Sequence, residues 1–162
     1  MRTARIVGVG SLGAGDDAVG LRVAEILAER GLEAARVCDA TDLVDLALDV
    51  ELLVIIDAVV GLGPLGAVEV LREEDLAPEL QPVSTHTMSV PAALAFARLL
   101  YPDRVAPAIR LVGVAIDPPA GIAEALSAPV ADAVDRAVNA VLRLLGGDPT
   151  DADPTDEQVA NA

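Results

Sequence analysis

Short aliphatic runs alternate with amphipathic stretches along this chain. The alternation predicts an α/β fold: a three-layer sandwich, its sheet mostly parallel with about five strands and helices on both faces. Three observations carry that expectation. Residues 52–56 (Leu-Leu-Val-Ile-Ile) are solidly aliphatic, as a strand covered on both faces must be. Residues from Asp17 onward switch to helical spacing, with Val19, Val23, Ile26 and Leu27 on one face and Arg22, Glu25, Glu29 and Arg30 opposite. The first strand-like run ends in Gly8-Val9-Gly10 and the third at Asp57, and in such sheets ligands sit outside the carboxyl ends of the strands.

The elements follow in order. Residues 5–10 form a buried first strand, and Gly31 stops the helix that follows it. Residues 35–38 make a short second strand. Residues 43–48 make a weak helix capped by Thr41 or Asp42. The strand at 52–56 ends at Asp57, and Gly61, Gly63, Pro64 and Gly66 then turn the chain. Residues 67–71 alternate, Val68 and Val70 against Glu69, as a strand near a sheet edge does. Residues 89–100 are an Ala-rich helix with Pro91 in its first turn. Residues 109–115 are a buried strand. Residues 129–145 are a last helix, closed by Gly146-Gly147. One domain therefore spans 1–146. Residues 147–162, with five acids, two prolines and no base, read as a disordered tail.

Composition narrows the function. The 162 residues are 53% hydrophobic and 23% charged, which is globular, and a net charge of -15 repels phosphate backbones and anionic lipid. All eleven bases are Arg, so neither a Schiff-base lysine nor a phosphate-loop lysine is available. Phe96 and Tyr101 are the only aromatics, too few for stacking platforms. Cys38 is the single cysteine, so no internal disulfide forms; its expected place is a buried position at a strand end. The longest charge-free stretch, between Glu79 and Arg98, is interrupted by polar residues and prolines and is no membrane span. The N-terminal apolar run lacks a cleavage site and soon meets Asp16-Asp17, so the expected location is the cytoplasm, without membrane or nucleic-acid partners.

Three positions could carry chemistry at the sheet edge. Of Asp16 and Asp17, one is expected to serve a helix start and the other to reach a cation. Asp57 closes the most hydrophobic strand, where a carboxylate is costly unless hydrogen-bonded, paired or metal-bound. His86 is the only histidine, in a Ser84-Thr85-His86-Thr87 stretch before a helix. Two carboxylates and an imidazole with open positions suit a borderline divalent metal such as Zn²⁺ or Ni²⁺. Gly8, Gly10 and Gly13 match a dinucleotide fingerprint, with Asp39 as the ribose acid. Yet Asp16 and Asp17 stand where a pyrophosphate would have to lie. Ser11, Ser84 and Ser89 occupy no nucleophile elbow.

The ordered set of motifs resembles the hydrogenase maturation proteases, the endopeptidases that trim the large subunit of nickel–iron hydrogenases. The resemblance runs from about residue 5 to 145. It rests on Gly8-Val9-Gly10-Ser11 through Asp16-Asp17 and Gly20, on Ile55-Ile56-Asp57-Ala58-Val59 with Gly63-Pro64-Leu65-Gly66, on Ser84-Thr85-His86, on Leu111-Val112-Gly113-Val114, and on a last helix opening near Ser127. The resemblance implies that Asp17, Asp57 and His86 are both the metal-contacting and the catalytic residues. It implies that the nickel is supplied by the substrate, a hydrogenase large-subunit precursor that loses a short C-terminal extension. It implies no nucleotide cofactor, and the protein is expected to act as a monomer. Two departures stand out: Ser11 replaces an Asn, and Asp39-Ala40-Thr41 replaces an Asp-Gly-Gly-Thr-like loop linked to substrate pairing. Whether the metal polarises the scissile carbonyl or activates water, or a carboxylate acts as general base, stays open at this level. The rival functions are a non-catalytic maturation factor and a dinucleotide-binding protein.

Overall fold

The computed structural model describes residues 3–76 and 88–146. Five strands form one sheet: β1 (Ala4–Val9), β2 (Ala34–Val37), β3 (Leu52–Val60), β4 (Val68–Arg72) and β5 (Ala108–Ile116). Their order is β2-β1-β3-β5-β4, with β4 antiparallel to β5 and every other pairing parallel. Helices α1 (Val19–Glu29) and α4 (Ala128–Gly146) cover one face, and α2 (Leu43–Leu46) and α3 (Val90–Leu100) the other. This is the three-layer, mostly parallel sandwich expected.

Strand periodicity divides the core. Leu53, Ile55 and Val59 of β3 join Val7, Ile109 and Leu111 under α2 and α3. Leu52, Val54 and Ile56 join Ile6, Val112 and Val114 under α1 and α4. Each such side chain, fully buried, contributes about 1.5–3 kcal/mol. By the same parity Asp57 lies on the α2/α3 face.

Several boundaries differ from the sequence reading. β3 does not end at Asp57 but continues three residues further. The reason is its partner: β5 runs beside it in register to Val60↔Ile116. The helix after β1 begins at Val19, preceded by a 3₁₀ turn at Gly15–Ala18. α2 is a single turn, and its entry is capped neither by Thr41 nor by Asp42. Asp39 instead caps the 3₁₀ turn that precedes α2, Ala40–Asp42, accepting the Thr41 N–H at 2.9 Å. Arg5 closes the far end of α2, donating from one guanidinium nitrogen to the Leu46 and Leu48 carbonyls at 2.6 and 3.1 Å. Gly146 is the last residue of α4 rather than its stop. The tail expected at 147–162 lies outside the described residues. Among the described residues no helix is long and apolar enough to cross a membrane.

The strand order sets a functional position. The chain leaves β1 toward β2 on one side, and β3 comes back to pair on the other, so the β1/β3 boundary is the topological switch point. Pairing of β1 with β3 stops at Gly8↔Ile56, and β1 then turns toward β2, where the Gly10 N–H donates to the Val37 carbonyl at 3.1 Å. Beyond Ile56, β3 keeps only β5. A crevice opens there, with Asp57 at its first position.

α1 can sit down into that crevice only because of glycine. A Cβ on Gly20 would lie 2.3 Å from the Val9 carbonyl oxygen and 2.4 Å from that of Ile56. A Cβ on Gly8 would lie 2.2 Å from the Gly20 oxygen. Both obstacles are backbone and cannot swing aside. Gly20→Ala should therefore cost at least about 3 kcal/mol and lower the urea midpoint by on the order of 1–2 M. Gly63→Ala, whose Cβ would meet only the Ala67 methyl at 3.6 Å, should stay within about 0.5 kcal/mol of the parent. Equal midpoints for the two variants would refute the close-approach account.

Candidate functional site

The crevice widens into a cleft of about 360 Å³ at the carboxyl ends of the strands, and both Asp17 and Asp57 line it. They arrive from different elements. Asp57 stands on β3 one residue past the end of β1 pairing. Asp17 belongs to the 3₁₀ turn that connects the β1 loop to α1. Gly10 lets the turn come close: a Cβ there would lie 2.5 Å from the Asp17 carbonyl oxygen. The rest of the lining is largely apolar, with Val59, Leu76, Met88, Val90 and Leu111 from the α2/α3 side.

The electrostatics of Asp57 follow from its place. Its carboxyl looks into the cleft but is otherwise enclosed by protein, and burial pushes its pKa well above the ordinary 3.8. The negative charge of Asp17 pushes in the same direction, and the Ala58 N–H partly opposes both. Two carboxylates thus face one partly desolvated space, and the charge of Asp17 disfavours the ionised form of Asp57, the situation a divalent cation relieves. The donor set fits a metal in kind. Among the described residues, however, no three His, Cys, Asp or Glu side chains converge on one point. The third expected group, His86, lies outside the described residues along with Ser84 and Thr85.

Asp16 does something else. It is not a cap on its own helix; no side-chain cap bond occurs at either the 3₁₀ turn or α1. Instead its two oxygens accept from the Ser127 N–H at 2.7 Å and the Ser127 hydroxyl at 2.8 Å. Sequence reading missed this contact, since 111 residues separate the partners. Ser127 ahead of an amphipathic run signals a helix start, but nothing local says what reaches it.

Cys38 is not buried as expected. It is exposed and lines the cleft, because β2 is a four-residue edge strand whose end has no outer neighbour to cover it. The glycine run, for its part, turns an N–H inward: Gly15 donates to the Ala123 carbonyl at 2.8 Å and so does not offer that group to a phosphate.

A stability prediction follows from Asp57. In the folded protein its carboxyl keeps its proton to higher pH than in the unfolded chain, so the folded state binds more protons between the two values. Stability then falls as pH rises through that window, and no penalty exists below the unfolded value of about 3.8. Asp57→Asn carries no charge to desolvate. Its melting temperature should exceed the parent's at pH 7 and approach it at pH 4, as differential scanning calorimetry of the metal-free chain would record. A gain that is the same at both pH values would rule this out. Asp17→Asn should bring the Asp57 titration down toward the ordinary range, followed through the carboxyl carbon by NMR.

The comparisons with known proteins bear on the family and the fold. Residues 22–144 match the family model described as hydrogenase maturation protease, a span that includes Asp57 and His86 and begins just after Asp17. The fold is similar to the hydrogenase maturating endopeptidase HybD from E. coli, with 24% identity, a TM-score of 0.75, and coverage of 91% of this chain and 93% of that one. It is similar to the [NiFe] hydrogenase maturation protease HybD from Thermococcus kodakarensis, with 23% identity, a TM-score of 0.70, and coverage of 89% and 99%. It is also similar to the [NiFe] hydrogenase maturation protease HycI from Thermococcus kodakarensis KOD1, with 21% identity, a TM-score of 0.65, and coverage of 90% and 93%. No curated protein matches the chain. The family match covers most of the chain and the fold is shared over nearly its whole length, so the chain belongs to the hydrogenase maturation protease family.

Proposed function

We propose that this protein is the endopeptidase that removes a C-terminal extension from the nickel-loaded large-subunit precursor of a nickel–iron hydrogenase. Asp17, Asp57 and His86 are its metal-contacting and catalytic residues. The observation that carries the reading is the pair of mutually repelling carboxylates at the switch-point crevice. Such a pair gains by meeting a cation that arrives with the substrate. Leu76 and Met88, the described residues on either side of 77–87, both line the cleft. His86 precedes Met88 by two residues, and two residues span at most ~7 Å, so the cleft is within its reach.

The nickel is substrate cargo. One oxygen of Asp17 and one of Asp57 complete its coordination, which fixes the precursor's chain end against the cleft. The apolar lining takes the side chains of the extension and excludes water from around the scissile bond. The oxygen of Asp57 that is not engaged by the cation lies at the same cleft and accepts the proton of the attacking water. The water oxygen bonds to the carbonyl carbon, the C–N bond breaks, and the proton passes to the departing amine. Cys38, an exposed free thiol at the rim, suits a reducing compartment, in keeping with action in the cytoplasm. The protein works as a monomer on a protein partner; its net charge of -15 disfavours nucleic acid.

The test uses the purified full chain and nickel-loaded precursor, with mass spectrometry following the precursor's C-terminus. A short C-terminal peptide should be lost only when nickel is present. Asp17→Asn, Asp57→Asn and His86→Ala should each slow cleavage by about 10²-fold or more. Nickel-dependent binding without any cleavage would instead identify a non-catalytic maturation factor.

A further inference from the structure

The loop that carries Asp17 is held from outside at two places. Its backbone pairs with the segment after β5: Gly15 N–H donates to the Ala123 carbonyl at 2.8 Å, and Ala123 N–H donates to the Gly13 carbonyl at 3.1 Å. Next to this, Asp16 takes both donors of Ser127 at 2.7 and 2.8 Å. Ser127 is the residue ahead of α4, and its carbonyl accepts the Ala131 N–H at 2.8 Å, the first hydrogen bond of that helix. α4 has 19 residues and its inner face is buried against the sheet. The anchor therefore belongs to one of the most firmly packed elements of the fold.

Asp16 and Asp17 are consecutive in a 3₁₀ turn, Gly15–Ala18. At three residues per turn, adjacent side chains diverge by about 120°. Fixing the direction of one fixes the other. With Asp16 drawn to Ser127, Asp17 is turned toward the cleft it shares with Asp57. On its inner side the turn has no slack, because Gly10 lies directly under the Asp17 carbonyl.

We propose that Asp16 and Ser127 are a positioning pair: their double hydrogen bond sets the rotation of the 3₁₀ turn and so aims the Asp17 carboxylate at the metal-recognition cleft. The role of Asp17 in metal recognition rests on the proposed function, whereas the aiming itself does not. The α4 N-terminus thereby belongs to the site, although no residue of it faces Asp57.

Full-length Ser127→Ala, Ser127→Thr and Asp16→Asn test this. The readouts are the side-chain carboxyl carbon resonance of Asp17, Ni²⁺ affinity by calorimetry, precursor cleavage, and the melting temperature. Ser127→Ala should shift the Asp17 resonance and weaken Ni²⁺ binding about 5- to 20-fold. Ser127→Thr, which keeps the hydroxyl, should restore both to within about 2- to 3-fold of the parent, and Asp16→Asn should resemble the alanine variant. A merely structural contact would lower the melting temperature of Ser127→Ala and leave the Asp17 resonance and Ni²⁺ affinity where they were; that result overturns the proposal. If the parent protein neither binds Ni²⁺ nor cuts the precursor, the proposed function fails, and the Asp17 resonance alone still decides whether the pair positions it.

Discussion

The fold depends on a backbone-to-backbone approach that no side chain would permit. α1 descends until Gly20 touches the carbonyl oxygens of Val9 and Ile56, and Gly8 meets Gly20 from the sheet side. This contact brings the N-terminal turn of α1 to the point where β1 stops pairing with β3. A helix held off by even a methyl group would carry Asp17 away from Asp57. The two apolar layers, under α1 and α4 and under α2 and α3, supply the bulk of the burial, but they are tolerant of small shifts, as close-packed aliphatic surfaces are when volume is conserved. The glycine contacts are not tolerant, because both sides are main chain.

A second constraint runs against the first. Bringing Asp17 to Asp57 places two negative charges in a space with little water, and the cost appears as the raised pKa of Asp57. Two acids elsewhere are held by arginine: Glu73 holds the Arg98 guanidinium through both oxygens, and Asp49 does the same to Arg104, at 3.1 and 2.5 Å. Asp57 at the cleft is pushed instead toward its neutral form. Local destabilisation of this kind is what the proposed cation site requires, and the rest of the domain offsets it. The Glu73–Arg98 pair also links the end of β4 to α3, beside the Leu76 and Met88 side chains that close the apolar side of the cleft.

Much of this was legible in the residues. Solid aliphatic runs mark buried strands because both faces of a parallel sheet are covered. The amphipathic period marks α1 and α4, and Gly31, in the left-handed region at φ +86°, marks the end of the first helix. Asp17 and Asp57 stood out because carboxylates at the ends of apolar runs need a reason. Other features were not legible. β3 outruns Asp57 because of β5, and a strand's length is set by its partner as much as by its own residues. Cys38 is exposed because its strand lies at the sheet edge, and strand order is not written in any local pattern.

The sequence by itself determined the layer architecture and the alternation that splits the core in two, and it marked Asp57 and the Asp16-Asp17 pair as candidate positions, since these depend on periodicity and on the cost of placing charge beside apolar runs. Tertiary structure alone decided which acid faces the cleft and which is structural. Asp16 and Asp17 are chemically the same and adjacent. Only the arrival of Ser127, 111 residues away, distinguishes them, because a hydrogen bond between distant segments exists only once the sheet has set their positions.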